Sequence, residues 1–162
     1  MPKIHPDSDF EKFTNISEKD DINTIFTKYG AFPNNASFYT YLAALGFKEG
    51  KILPTKERSG WGEVQGIRMQ SLECTAQIFA IALGHAQDYS ILKDEDECYE
   101  IFEGYVNAGF KILKKKSKNF NDGESFVDSL LEELRAQAQD NKIEEDPVQD
   151  LGSLDLETKT II

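Results

Sequence analysis

The chain has 162 residues, of which 40% are hydrophobic and 29% charged, and its formal net charge is −11. This length suits one domain with an appended segment, and the hydrophobic fraction is sufficient for a core. No apolar run approaches the roughly 18 residues of a membrane span, and the N-terminus lacks a signal-peptide pattern. We therefore expect a cytoplasmic protein without membrane contacts, and one that does not bind nucleic acid through bulk charge.

The negative charge is concentrated toward the end of the sequence. From Asn121 onward there are 12 acidic and three basic side chains, whereas the preceding residues carry 17 acidic and 15 basic ones. The body of the chain is therefore close to neutral, and a local basic face on it is compatible with the composition.

The N-terminal part divides into two segments. Residues 1–17 are weakly patterned and include Pro2 and Pro6, so we predict a weakly ordered segment there. Ser17 can then cap a first helix, whose apolar positions end before Gly30. This helix opens the predicted helical domain, residues 18–138.

A second helix is predicted from about Ala36 to Phe47. Apolar residues recur at helical spacing, Asn34 or Asn35 can cap the start, and Gly46 and Gly50 can both take the positive φ that ends a helix. The following glycine-rich stretch predicts an irregular loop or a short hairpin. Its two arms would be Glu63–Val64 and residues 67–69.

Three more helices complete the predicted bundle. The third begins at Ser71, ends at Gly84, and is apolar almost all round, which predicts a fully buried helix. Asp94 to Glu97 form a capping box for the fourth, whose apolar stripe includes Tyr105, Gly109 and Ile112. The fifth spans about residues 124–137, with Phe126, Val127, Leu130, Leu131 and Leu134 on one face.

The predicted fold is therefore mainly α, a compact bundle of about five helices. Residues 139–162 contain many acidic residues and only scattered apolar ones, which predicts a disordered acidic tail. Such a tail is either a solubilising segment or a docking peptide that folds on a partner.

Two segments resemble a known family. The stretch from Phe38 to Pro54 reads FYTYLAALGFKEGKILP, and residues 101–113 read IFEGYVNAGFKIL. An alanine pair followed by Leu-Gly-Phe-Lys-x-Gly-Lys, and a later Glu-x-Tyr-(Ala)-Asn-x-Gly segment, are similar to the Dnd system-associated protein 4 family. Val106 stands where the family pattern has Ala, and the long acidic end is not part of that pattern.

This resemblance implies a function and partners. The chain would be a non-enzymatic accessory protein of a bacterial, DNA phosphorothioation-linked (Dnd-type) system of antiviral defence and restriction-modification. It would bind other defence-system proteins and, as a further option, DNA. The alternative that we keep open is an acidic DNA mimic that inhibits a nucleic-acid enzyme.

The residues themselves do not predict a catalytic, cofactor or metal site. His5 and His85 are far apart in the sequence, and neither Cys74 nor Cys98 lies in a CxxC pair. We expect two buried thiols in a reducing compartment. The glycines between Gly60 and Gly66 lack the Lys-Ser/Thr of a phosphate-binding loop.

The candidate contact residues are basic or aromatic. One group surrounds the predicted loop: Lys48, Lys51, Lys56, Arg58, Trp61 and Arg68. A second follows at the end of the fourth helix: Lys111, Lys114, Lys115, Lys116 and Lys118. These residues are either solvated surface charge or, if both groups face one way, a docking surface for protein or DNA that the acidic tail can cover.

Overall fold

The computed structural model describes residues 2–5, 7, 31–56, 64–65 and 74–140. In chain order the elements are β1 (Lys3–Ile4), α1 (Asn35–Lys48), β2 (Val64–Gln65) and α2 (Thr75–Ala86), then a 3-10 helix (Tyr89–Lys93), α3 (Glu95–Ser117) and α4 (Gly123–Asp140). The fold is mainly helical, as predicted. Four of the α-helices of the predicted bundle lie in the described part, and the first, before Gly30, lies outside it.

Helix α1 has well-defined ends. The Asn34 side chain accepts a hydrogen bond from the Ser37 amide at 3.0 Å, which confirms the predicted cap. At the other end Gly50 has φ +64°, the Gly50 amide donates to the Phe47 carbonyl, and the Lys51 amide donates to the Gly46 carbonyl. This is the Schellman pattern, so Gly50 supplies the predicted positive φ. Gly46 lies inside the helix instead.

The core of the fold is the contact between α1 and α3. A Cβ on Gly46 would collide with the Tyr105 carbonyl, and a Cβ on Gly109 would lie 2.7 Å from the Leu42 carbonyl carbon. The two glycines therefore let the helix backbones approach closely. Phe38 and Phe110, both fully buried, meet edge to face with ring centroids 5.7 Å apart.

Helix α2 is buried on one face rather than all round. Ile78, Ile81 and Ala82 are buried, whereas Ala76 and Ala80 are exposed. The C-terminal end of the helix also differs from the predicted one. The helix continues past Gly84 to Ala86, because Gln87 takes the left-handed conformation (φ 55°) that closes it. The predicted cap, Ser71, lies outside the described residues.

Helix α3 is the longest element among the described residues, and its start is anchored by Asp94. The Asp94 side chain accepts from the Glu97 amide at 3.0 Å, as the capping-box pattern predicted. The Asp94 amide donates to the Ile91 carbonyl at 3.1 Å, so the 3-10 helix satisfies the group that Glu97 was expected to reach. Ile91 is buried, whereas Tyr89 is 80% exposed.

The N-terminus contributes a strand. β1 pairs antiparallel with β2, with Lys3 opposite Gln65 and Ile4 opposite Val64. Val64 thus belongs to a strand, and its described partner is the N-terminal Ile4. The predicted second arm, residues 67–69, lies outside the described residues. Ile4 is fully buried, so its burial helps to hold this pairing on the core.

Helix α4 follows the prediction and extends to Asp140. Phe126, Val127 and Leu130 are buried, and Leu131 and Leu134 pack against the core. Asp122 accepts from the Ser125 amide at 2.8 Å and so caps the helix. Among the described residues, no helix combines the length and the apolar character that crossing a bilayer requires.

Candidate partner-binding groove

Helix α3 carries a buried carboxylate that holds other segments in place. Glu103 is 3% exposed. Its Oε2 accepts from the His5 amide at 2.7 Å, and its Oε1 accepts from the Thr55 hydroxyl. A buried carboxylate needs such donors because desolvation is otherwise costly. Glu103 therefore ties both the N-terminal strand and the segment after α1 to α3.

Asn107, one turn further along α3, extends this network. Its Oδ1 accepts from the Asp7 amide at 3.0 Å, and its Nδ2 donates to the Thr55 hydroxyl at 2.9 Å and to the Leu53 carbonyl at 3.3 Å. Asp7, itself buried, accepts from the Lys56 amide at 2.7 Å. The family-like segment Glu103 to Gly109 thus joins three parts of the chain.

The segment from Gly50 to Leu53 lies along α3 as a consequence. The Leu53 amide donates to the Gly104 carbonyl at 3.0 Å, and a Cβ on Gly104 would lie 2.7 Å from Cγ1 of Ile52. The close approach at Gly104 places the apolar side chains of Ile52 and Leu53 beside the next turns of α3.

A groove of about 560 Å³ lies between this segment and α3. Its apolar lining is formed by Ile52, Leu53, Ala108 and Ile112, and three exposed lysines, Lys51, Lys111 and Lys115, border it together with Gly50. We call it the lysine-rimmed groove. Ile52 is 37% exposed, so part of its apolar side chain is open to solvent inside the groove.

The groove brings together members of both predicted basic groups. Lys51 comes from the first, and Lys111 and Lys115 come from the second. Lys116 does not join them, because its Nζ contacts both carboxylate oxygens of Glu133 on α4 at 2.8 Å. The spacing along α3 explains the split, since residues 111 and 115 are one turn apart on the same face.

The other predicted contact residues stand elsewhere. Lys48 is exposed at the end of α1 and is not part of the groove lining. Lys56 is exposed, and its amide is bonded to Asp7. Arg58, Trp61 and Arg68 lie outside the described residues.

Sequence reasoning missed the apolar half of the groove. Ile112 was placed on the core-facing stripe of α3, yet it is only half-buried, and Ile52 and Leu53 were assigned to an irregular loop. The signal available was the Ile-Leu pair directly after Lys51, two adjacent apolar residues at the start of the connection that follows α1.

Cys74, Cys98 and His85 each have a defined place in the fold. Cys98 and Cys74 are both buried and neither forms a disulfide. Burial raises the pKa of the Cys98 thiol, helped by the nearby Asp94, Glu97 and Glu95 carboxylates, and its Sγ lies 3.3 Å from the Ile91 carbonyl. Nδ1 of His85 lies 2.9 Å from the Tyr105 hydroxyl, whose pKa is raised by burial.

The described residues form a mainly helical fold with a partly apolar groove on its central helix, bordered by three lysines. A family model described as DNA sulphur modification system-associated protein 4 matches residues 16–153. The chain belongs to this family. No curated protein and no solved structure gives a significant match.

Proposed function

We propose that this chain is a non-enzymatic accessory protein of a Dnd-type, phage-defence-linked DNA sulphur modification system, and that it binds another protein component through the lysine-rimmed groove. The single observation that carries this proposal is an open groove with apolar side chains inside and three lysines around it. Membership in the family supports the assignment to a DNA sulphur modification system, and the groove supports protein binding as the mode of action.

The lining of the groove specifies the chemistry of its ligand. Exposed lysines contribute little individually, because water and salt screen them, so the apolar surface of Ile52 and Ile112 must supply most of the affinity. The lysines favour acidic partners and speed the encounter. The fitting ligand is a peptide segment in which leucine-like side chains alternate with acidic ones.

The buried polar residues favour a structural role over catalysis. Glu103 and Asn107 are the most buried polar side chains of α3, and their hydrogen bonds join His5, Thr55 and Asp7 to the helix. Each of these groups is engaged in holding segments together. The network thereby fixes the wall of the groove, which is what a preorganised binding surface requires.

A protein ligand fits better than DNA. Contacts to phosphate oxygens need cations and polar donors. Among the side chains that line the groove, only the three lysines can make such contacts. The apolar lining between the lysines has no counterpart on a DNA backbone, but it matches apolar side chains of a peptide. DNA binding would be strongly salt-dependent, so the two ligands are distinguishable.

The experiment compares two charge-reversal variants in affinity capture from the native host. Lys111→Glu with Lys115→Glu alters the groove. Lys93→Glu with Lys118→Glu makes the same charge change at exposed lysines that do not line it. Captured proteins encoded with the system are then tested pairwise as purified proteins. We expect the groove variant alone to lose the partner, and retention by both variants would refute the proposal.

A further inference from the structure

We infer that residues 150–157 of this same chain occupy the lysine-rimmed groove when no partner is bound. The inference rests on the proposed function in one respect, because it assigns an internal competitor to the same groove. Three features of the chain support this docking: the chemistry of residues 150–157, the length of the segment that links them to α4, and the position of α4.

The sequence of residues 150–157 is DLGSLDLE, with three acidic and three leucine side chains and no basic one. The groove offers three lysines and an apolar lining from Ile52, Leu53, Ala108 and Ile112. Charge and apolar character therefore match on both sides. In the part of the chain after Asp140, these residues hold the densest mixture of leucines and acids.

The end of α4 also lies within tether reach of the groove. The ion pair between Lys116 and Glu133 fixes α4 beside the last turns of α3, one residue from Lys115. Asp140 follows Glu133 by seven residues of helix, about 10 Å along the axis. Residues 141–149 form the tether, and an extended chain from 140 to 150 spans about 35 Å. The tether can therefore return to Lys115 with slack.

A short tether makes docking effective even when the contact is weak. Linking a peptide to its site gives an effective concentration in the millimolar range, so a modest intrinsic affinity suffices for high occupancy. A partner must then displace residues 150–157, and its apparent affinity falls by the fraction of molecules in which the groove is open. The tail thereby sets a threshold for partner binding.

The test uses the full chain with a nitroxide on Ser153→Cys. Cys98 is fully buried and Cys74 is 7% exposed, so both resist labelling, and the label-treated parent chain serves as the control. Amide signals are compared between the oxidised and the reduced nitroxide. We expect loss of most of the signal intensity at Ile52, Leu53 and Ile112, with little loss at the α2 residues Ile78 and Ala80.

Charge variants of the labelled chain test the specificity of this contact. Lys111→Glu with Lys115→Glu should restore the groove signals, whereas Lys93→Glu with Lys118→Glu should not. Absence of broadening at the groove, or equal broadening over the whole surface, overturns the inference. Broadening that appears only when isotope-labelled chains are mixed with separate nitroxide-labelled chains also overturns it, because the contact is then between two molecules.

Failure of this inference and failure of the proposed function are distinguishable. If the groove signals do not respond but the groove variant still loses its protein partner, the tail is not the occupant and the adaptor role stands. If the tail is seen in the groove but the groove variant keeps its partner, the adaptor uses another surface.

Discussion

Gly109 of α3 packs directly against the main chain of Leu42 in α1. A Cβ on Gly109 would lie 2.7 Å from the carbonyl carbon of Leu42 and 2.8 Å from its Cα, separations that non-bonded carbon atoms do not tolerate. Leu42 and its neighbour Ala43 are fully buried, so α1 cannot move aside without disturbing the core. This contact sets the distance between the two central helices.

Gly109→Leu is expected to destabilise the protein by about 1–3 kcal/mol through overpacking, and Gly109→Ala should already destabilise it. In an unobstructed helix the alanine would instead stabilise by up to about 1 kcal/mol. The measurement is the free energy of unfolding in urea. A gain in stability for Gly109→Ala would contradict the packing described here.

Gly84→Ala is the matched control for this prediction. Its Cβ would meet the Phe47 ring, at 2.7 Å from Cζ, and not a backbone. Phe47 is 38% exposed and can rotate away, so we expect a smaller loss than for Gly109→Ala.

Asn107→Ala tests the buried network that fixes the groove wall. The change leaves the Asp7 amide and the Leu53 carbonyl without their side-chain partner. A buried polar group left unsatisfied costs about 1–3 kcal/mol, so the free energy of unfolding should fall by at least that amount. Asn119→Ala, at an exposed position, is the control and should change stability by less than about 0.5 kcal/mol. Equal effects of the two substitutions would argue against the network.

The raised pKa of Tyr41 predicts how the free energy of unfolding changes at high pH. Burial, assisted by the negative charge of Glu133, raises the pKa of Tyr41 to about 12. In the unfolded chain the Tyr41 hydroxyl ionises near pH 10. The contribution of neutral Tyr41 to the free energy of unfolding is therefore fully present below pH 10 and is lost as the pH rises toward 12. The loss from this residue is about 2–3 kcal/mol.

The measurement for Tyr41 is urea unfolding at several pH values from 9 upward, with Tyr41→Phe beside the parent chain. The Phe variant should lose less stability over this range. Tyr89→Phe, at a residue that is 80% exposed, should follow the parent. Parallel pH profiles for the parent and Tyr41→Phe would contradict the assignment.

Truncation after Asp140 tests the role of the last 22 residues. The buried side chains of α4, such as Phe126 and Leu130, remain, so the melting temperature should stay within a few degrees. A loss of helical signal would show that the removed residues belong to the core.

The truncated chain also tests DNA binding. The deletion removes six acidic and two basic side chains, which shifts the net charge toward positive by four. If the lysines of the groove contact DNA, a short duplex should bind more tightly than to the full chain, and rising salt should weaken binding. Absence of salt-dependent binding by the truncated chain would leave proteins as the ligands of the groove.

Local signals in the sequence were sufficient for three of the helix ends. Asn34, Gly50 and Asp94 cap helices through residues three or four positions away, so the pattern is readable without a fold. Gly84 was misread as a helix end because a close helix contact and a terminator both favour glycine. The sequence alone does not separate the two uses.

Long-range contacts were not predictable in the same way. Val64 pairs with Ile4, 60 positions earlier, and neither segment is long enough to show a strand period. The lysine-rimmed groove depends on the hydrogen bond from Leu53 to Gly104, which brings Lys51 beside Lys111. The sequence predicted two basic groups, but only the fold could place Lys51 with Lys111 and Lys115, and direct Lys116 to Glu133.

We propose that this family member binds a protein of its system through the lysine-rimmed groove, and this claim can be tested with purified proteins. The most direct measurement is the dissociation constant of the purified partner for the parent chain, for Lys111→Glu with Lys115→Glu, and for Lys93→Glu with Lys118→Glu. We predict at least about tenfold weaker binding, or 1.4 kcal/mol, for the groove variant alone. Equal affinity for the groove variant and the control variant, with both folded, would contradict the claim.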